Sequence, residues 1–408
     1  MRRIVIILIA VVVIVLIIFF GWYFLLRNPD IPLGEVIRDV LPFGSGDNAQ
    51  LTTDPSTSFD DAQDKSLGTD KLGVPTANLF RISIEPVAGV VVLNKNASTT
   101  VVRYVDRATG HIYDADLATL VKTKVTNQTL PKIYEAYFRP DGNAVLLRSL
   151  DDNSDMVENL SLALTPPRST STDTLYAVSS TALRGEIGAV IAGSGNTLFY
   201  TLEDTSSIVS SAFNGTGLKT LYTSPFTDWR LAVAGKNLVL FTKASASASG
   251  YAYTLNIANR ALTKILGPLK GLTVNPNALG DQVLYSYVEN DRTRLFTKNL
   301  RNNILSEFPI TLAEKCVWSI KRATIFFCGM PTDDLGTGEP DDWYRGLTHF
   351  SDRIWLFDTN TDIAQVLAQP KQNLGIDIDL VEPKLSPNED YLVFINKNDL
   401  SLWALRLE

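Results

Sequence analysis

The 408-residue sequence is poor in the residues on which most catalytic sites depend. It has two histidines, His111 and His349, and two cysteines, Cys316 and Cys328. A nucleophile–His arrangement needs a third group to orient the ring. His111 follows Thr109-Gly110 at the start of a strand pattern and reads as a turn or sheet residue, while His349 lies in a polar insertion. Two cysteines and two distant histidines make no zinc set. There is no Gly-x-Ser-x-Gly elbow, no Walker loop and no Gly-x-Gly-x-x-Gly run, so the common acyl-transfer and nucleotide-binding signatures are absent. These gaps point away from an enzyme and imply no cofactor and no metal. Charge is also sparse: 20% of residues are charged and the formal net charge is −7. Much of that excess lies in Asp47, Asp54, Asp60, Asp61, Asp64 and Asp70, which makes nucleic acid an unsuitable partner.

Long apolar runs are missing except at the start. Residues 4–26 are apolar but for Gly21, preceded by Arg2 and Arg3 and ending near Trp22 and Tyr23. About 20 such residues span a bilayer core. The run is too long, and its end too bulky, for a cleavable signal peptide. Residues 1–27 are therefore expected to be a transmembrane signal-anchor helix that holds the chain at the cell membrane, single-pass. The arginine bias places the N-terminus in the cytoplasm and the bulk outside it. Residues 28–76 read as a juxtamembrane stretch and an acidic linker, disordered because it has little apolar surface to bury.

From residue 77 the pattern changes to short alternating runs of β-branched and aromatic residues bounded by Gly, Pro, Asn and Asp, which is the signature of all-β architecture. The runs recur at roughly 45–50 residues. Units begin near Pro86, Ile133, Gly188, Asp228, Leu272, Lys315 and Leu380. The clearest copies are residues 137–147, with Arg139-Pro140-Asp141-Gly142 at the turn, and residues 384–394, with Ser386-Pro387-Asn388-Glu389. Cys316 and Cys328 flank two short strand patterns around Arg322. A hairpin there sets them opposite one another, and a disulfide and two buried thiols both remain open.

The strand–Ser-Pro-Asp-Gly–strand unit resembles the repeat of TolB-like and WD-repeat-like β-propellers. Residues 103–113, 316–319 and 341–346 more narrowly resemble membrane-anchored propeller proteins of unassigned function from candidate-phylum bacteria. With the resemblance giving the propeller class, the count of seven units gives a seven-bladed β-propeller over residues 77–408, and residues 78–84, a strand pattern with no unit of its own, are expected to close the ring by pairing with 400–407. Six blades with a separate sheet, or two β-sandwiches, are the alternatives.

One insertion, residues 330–352, concentrates candidate chemistry. It carries Asp333, Asp334, Glu339, Asp341 and Asp342 beside Trp343, Tyr344 and Phe350. Exposed aromatic rings among polar neighbours favour contact with a ligand or protein, so Asp341, Asp342, Trp343, Tyr344 and Phe350 are the expected binding residues. An aromatic cap packed onto its own blade is the competing arrangement. The expected role is a non-catalytic binding or scaffold module for a protein, peptide or glycan at the cell envelope. The alternatives are a hydrolase or lyase using carboxylates on the loop-rich face, or a purely structural surface protein.

Overall fold

The computed structural model describes residues 77–407 apart from 97, 152–155, 169–173 and 362. The first strand is β1 (Leu79–Ser83). The first antiparallel sheet holds β2 (Val87–Asn94), β3 (Thr100–Asp106), β4 (Ile112–Asp116) and β5 (Lys122–Lys124). The second holds β6 (Ile133–Phe138), β7 (Ala144–Leu150), β8 (Val157–Thr165) and β9 (Ala177–Ala182). The third holds β10 (Ile187–Ala192), β11 (Thr197–Leu202), β12 (Ser207–Ala212) and β13 (Lys219–Thr223). A seven-stranded sheet follows: β14 (Trp229–Ala234), β15 (Asn237–Thr242), β16 (Ser249–Asn256), β17 (Leu262–Pro276), β18 (Gln282–Glu289), β19 (Arg292–Asn299) and β20 (Leu305–Phe308). Its long β17 pairs with β16 through its first half and with β18 through its second. Then come β21 (Cys316–Trp318), β22 (Ile325–Pro331), β23 (Asp352–Asp358) and β24 (Ile363–Ala368). In the last sheet β25 (Leu380–Leu385), β26 (Tyr391–Asn396) and β27 (Leu402–Arg406) are joined by β1, which lies antiparallel to β27 with Leu79 opposite Leu405.

Alternation explains why these strands read as nearly continuous apolar runs. In β7, Val145 and Leu147 enter the core shared with the first sheet, while Ala144 and Leu146 enter the core shared with the third. Successive side chains point to opposite faces, and both faces are covered. Between the last sheet and the first, Phe80, Val90, Val102, Val393 and Leu402 form one such core. The opening strands of the sets touch in the order β2, β6, β10, β14, β17, β21 and β25, and β25 returns to β2.

The connecting turns repeat one device. Asp106, Asp116, Asn256, Asn299 and Asn396 each accept a backbone N–H from two or three residues ahead. The residue four positions on (Gly110, Leu120, Arg260, Asn303 and Leu400) adopts positive φ and donates back to the same residue's carbonyl. Short Asx side chains make such turns without strain at the first position. Cys316 pairs in register with Cys328 across β21 and β22, and the two are joined as a disulfide.

The expected N-terminal helix and the linker at residues 28–76 lie outside the described residues. The two described α-helices, α1 (Asp341–Tyr344) and α2 (Pro370–Leu374), are far short of the length a bilayer requires. Among the described residues no helix is long and apolar enough to cross a membrane. The expected single-pass location at the cell membrane is corrected accordingly.

Candidate functional site

The insertion at 330–352 folds down onto the end of the ring where the opening strands begin, and a buried ionic cluster holds it there. Lys315 ends a 3₁₀ turn at Ala313–Lys315, directly before β21. Its side chain is fully buried, with Nζ 2.8 Å from Asp352 Oδ2 and paired also with Asp379. Asp379 Oδ2 accepts the Trp343 indole N–H at 2.9 Å and the Phe350 backbone N–H at 3.1 Å. Trp343 and Phe350 stack with ring centroids 6.1 Å apart, and Lys315 Nζ lies 5.2 and 5.1 Å from them. Buried charges persist only where they are paired and hydrogen-bonded. Desolvation pushes the Asp352 carboxyl up to about 6, against the pull of Lys315.

This packing corrects part of the expected ligand surface. Trp343 and Phe350 are 4% and 7% exposed and pack with Leu312. They form a cap, because the indole N–H finds a buried carboxylate and the rings find a buried cation. Asp341 Oδ2 accepts the Ala246 backbone N–H at 2.6 Å and so ties the insertion to the β15–β16 loop. Asp342 is half-buried, with Arg345 Nη1 at 3.9 Å. Tyr344 is half-buried, and its hydroxyl donates to Glu314 Oε1 at 2.6 Å.

Glu314 precedes Lys315 in the same 3₁₀ turn and is half-buried. Desolvation raises its carboxyl above the usual range, while the Tyr344 hydroxyl and the charge of Arg230 pull it back. Tyr344 is raised as well, first by burial and then by Glu314. A second group lies where β25, β2 and β6 meet. Glu382 is accessible to water, yet desolvation by the surrounding protein raises its carboxyl, with Lys384 and Arg107 opposing and Glu135 adding to the effect. Burial lowers Lys384, whose Nζ donates to Val90 O at 2.6 Å. The Lys315–Asp379 pair joins the turn carrying Glu314 to the segment that enters β25 and carries Glu382.

Nothing in the sequence marks Glu314, Lys315, Asp379 and Glu382 as site residues, although Lys315 falls at the start of a repeat unit. They are 64 or more residues apart across the two segments, and no local motif marks them; an acid just before an opening strand is the only signal. His111 lies 3.2 Å from Thr129 Oγ1 through Nε2, and His349 is exposed.

No protein-family model matches the chain, and no curated protein matches it. Solved structures do resemble it. An oligogalacturonate lyase in complex with manganese is 10% identical at a TM-score of 0.52, covering 83% of this chain and 95% of its own. A virginiamycin B lyase from Staphylococcus aureus is 11% identical at a TM-score of 0.50, covering 81% and 99%. An oligogalacturonate lyase from Vibrio parahaemolyticus is 11% identical at a TM-score of 0.50, covering 84% and 96%. At these identities the likeness shows the fold: the chain is a β-propeller-like protein. It does not bear on the narrower resemblance to candidate-phylum proteins. It does correct the expectation of a non-catalytic binding or scaffold module, since the similar folds carry the names of enzymes. Manganese does not fit here: among the described residues no group of three or more His, Cys, Asp or Glu side chains is placed to hold a metal ion.

Proposed function

We propose that the chain is an acid–base hydrolase or lyase acting on a glycan at the loop-rich end of a seven-bladed β-propeller. The blade count is supported by β17, which serves as the last strand of one four-stranded set and the first of the next. The observation that carries the reading is the Glu314–Tyr344 pair: a desolvated carboxyl hydrogen-bonded to a phenol and within the electrostatic reach of Arg230. A carboxyl raised above the usual range is suited to deliver a proton to a leaving oxygen and to take one back afterwards. Tyr344 fixes the carboxyl's orientation. Arg230 supplies positive charge where negative charge develops on the substrate. Asp341, held by Ala246, adds a second carboxylate beside Tyr344. Glycan cleavage by two acids, or elimination driven by one, needs no nucleophile–His pair.

The test is a panel of neutral and uronate-containing oligosaccharides. Hydrolysis is read from new reducing ends and elimination from the ultraviolet absorbance of unsaturated products. The reading requires turnover of at least one member and its loss in Glu314→Gln.

A further inference from the structure

A recess of about 460 Å³ opens at the same end of the ring, where β2 and β6 begin. Pro86, Ile133, Tyr134 and Leu400 give it apolar walls, and Arg107 and Lys132 supply positive charge. Backbone hydrogen bonds fix its frame: Arg107 N–H to Pro86 O at 2.9 Å, Ile133 N–H to Arg107 O at 3.0 Å, and Val87 N–H to Leu400 O at 2.9 Å.

The arginines of this region differ in one respect. Arg103 gives its guanidinium to Asp114, Gly142 O and Tyr176. Arg148 gives its own to Glu135, Asn159 and Ile187 O. Half-buried Arg107 donates no side-chain hydrogen bond and forms no ion pair with any described residue. Burial lowers its guanidinium below the ordinary value, and Glu135 and Glu382 offset this only through space. A half-buried guanidinium without an acceptor is open to an anion, and its planar fork matches a carboxylate.

We propose that this recess binds a small organic acid, with its carboxylate on the Arg107 guanidinium and a ring-shaped or apolar body against Pro86, Ile133, Tyr134 and Leu400. The volume falls in the range of small-molecule sites. The nearby acids Glu135 and Glu382 disfavour a doubly charged phosphate at the same place, so a monoanion is selected. The proposal stands apart from the catalytic reading because it is judged by binding and not by turnover.

The test is calorimetric titration of the purified full-length chain with benzoate and cyclohexanecarboxylate, compared with benzamide and inorganic phosphate. Both carboxylates bind with a single site, benzamide does not, and phosphate binds more weakly. Arg107→Gln weakens the carboxylates by about tenfold or more, as expected for loss of a charge-assisted pair. Ala108→Trp, which fills the recess and leaves the guanidinium in place, weakens them too. Thermal unfolding of both variants stays at the parent value, which separates lost binding from lost folding. Absence of carboxylate binding, equal binding of benzamide, tighter binding of phosphate, or unchanged affinity in both variants overturns the proposal.

Discussion

Replacing Lys315 or Asp352 probes the cluster that seats the insertion, and the two changes should act in opposite ways. Lys315, Asp352 and Asp379 are all fully buried. Lys315→Met removes the one cation between two buried carboxylates, which costs about 3–5 kcal/mol. Asp352→Asn keeps a side-chain acceptor for the Leu380 N–H, bonded at 2.7 Å in the parent, but cannot ionise. The folded carboxyl stands at about 6 against an ordinary 3.8. Because the fold raises it, its contribution to stability is fully present below the unfolded value and is lost as the pH rises through the folded one. A shift of about two units corresponds to about 3 kcal/mol. Urea unfolding of the parent should therefore lose about that much from this group between about pH 4 and about pH 7. Asp352→Asn should remove that slope and be no less stable than the parent at the upper end. A parent-like slope in Asp352→Asn, or a loss below about 1 kcal/mol in Lys315→Met, would refute the assignment of these charges.

Three further outcomes are expected. Tyr344→Phe removes the hydrogen bond that pulls Glu314 down, so the Glu314 carboxyl moves further up, visible in carboxyl-detected NMR titration. Replacing both Cys316 and Cys328, which close a loop with a sequence separation of 12, costs about 2–4 kcal/mol in denaturant unfolding without reductant. Gly89→Ala places a Cβ against the Ala136 carbonyl of the next opening strand, so it should lower the melting temperature by several degrees, for about 1–3 kcal/mol of overpacking.

The all-β class was legible because two local signals agree over most of the domain. Alternating Val, Leu and Phe mark strands, and Asp, Asn, Pro and Gly mark the turns between them. The positions near Ile133 and Leu380 at which units were expected to begin are the first residues of β6 and β25. The insertion was legible only as a departure from that rhythm. Its acids and rings suggested an exposed surface, but Trp343 and Phe350 found partners in Lys315 and Asp379, which lie outside the insertion in the chain. Burial of that kind is a long-range fact with no local pattern. The same holds for Glu382 and Arg107, which are far apart in sequence and become neighbours because β25 returns to β2. The character of the site therefore depends on the desolvation that the ring imposes, whereas the residue types alone looked like ordinary surface charge.

The most direct measurement is the pH dependence of glycan turnover by the parent chain and by Glu314→Gln. The account predicts cleavage or elimination of at least one oligosaccharide, limited on its alkaline side by a carboxyl titrating above the usual range. It also predicts a loss of about a hundredfold or more in Glu314→Gln, the usual scale of a missing acid–base group, with unfolding unchanged. Turnover that survives in Glu314→Gln at the parent rate and pH profile, or no turnover by the parent on any glycan, would contradict it.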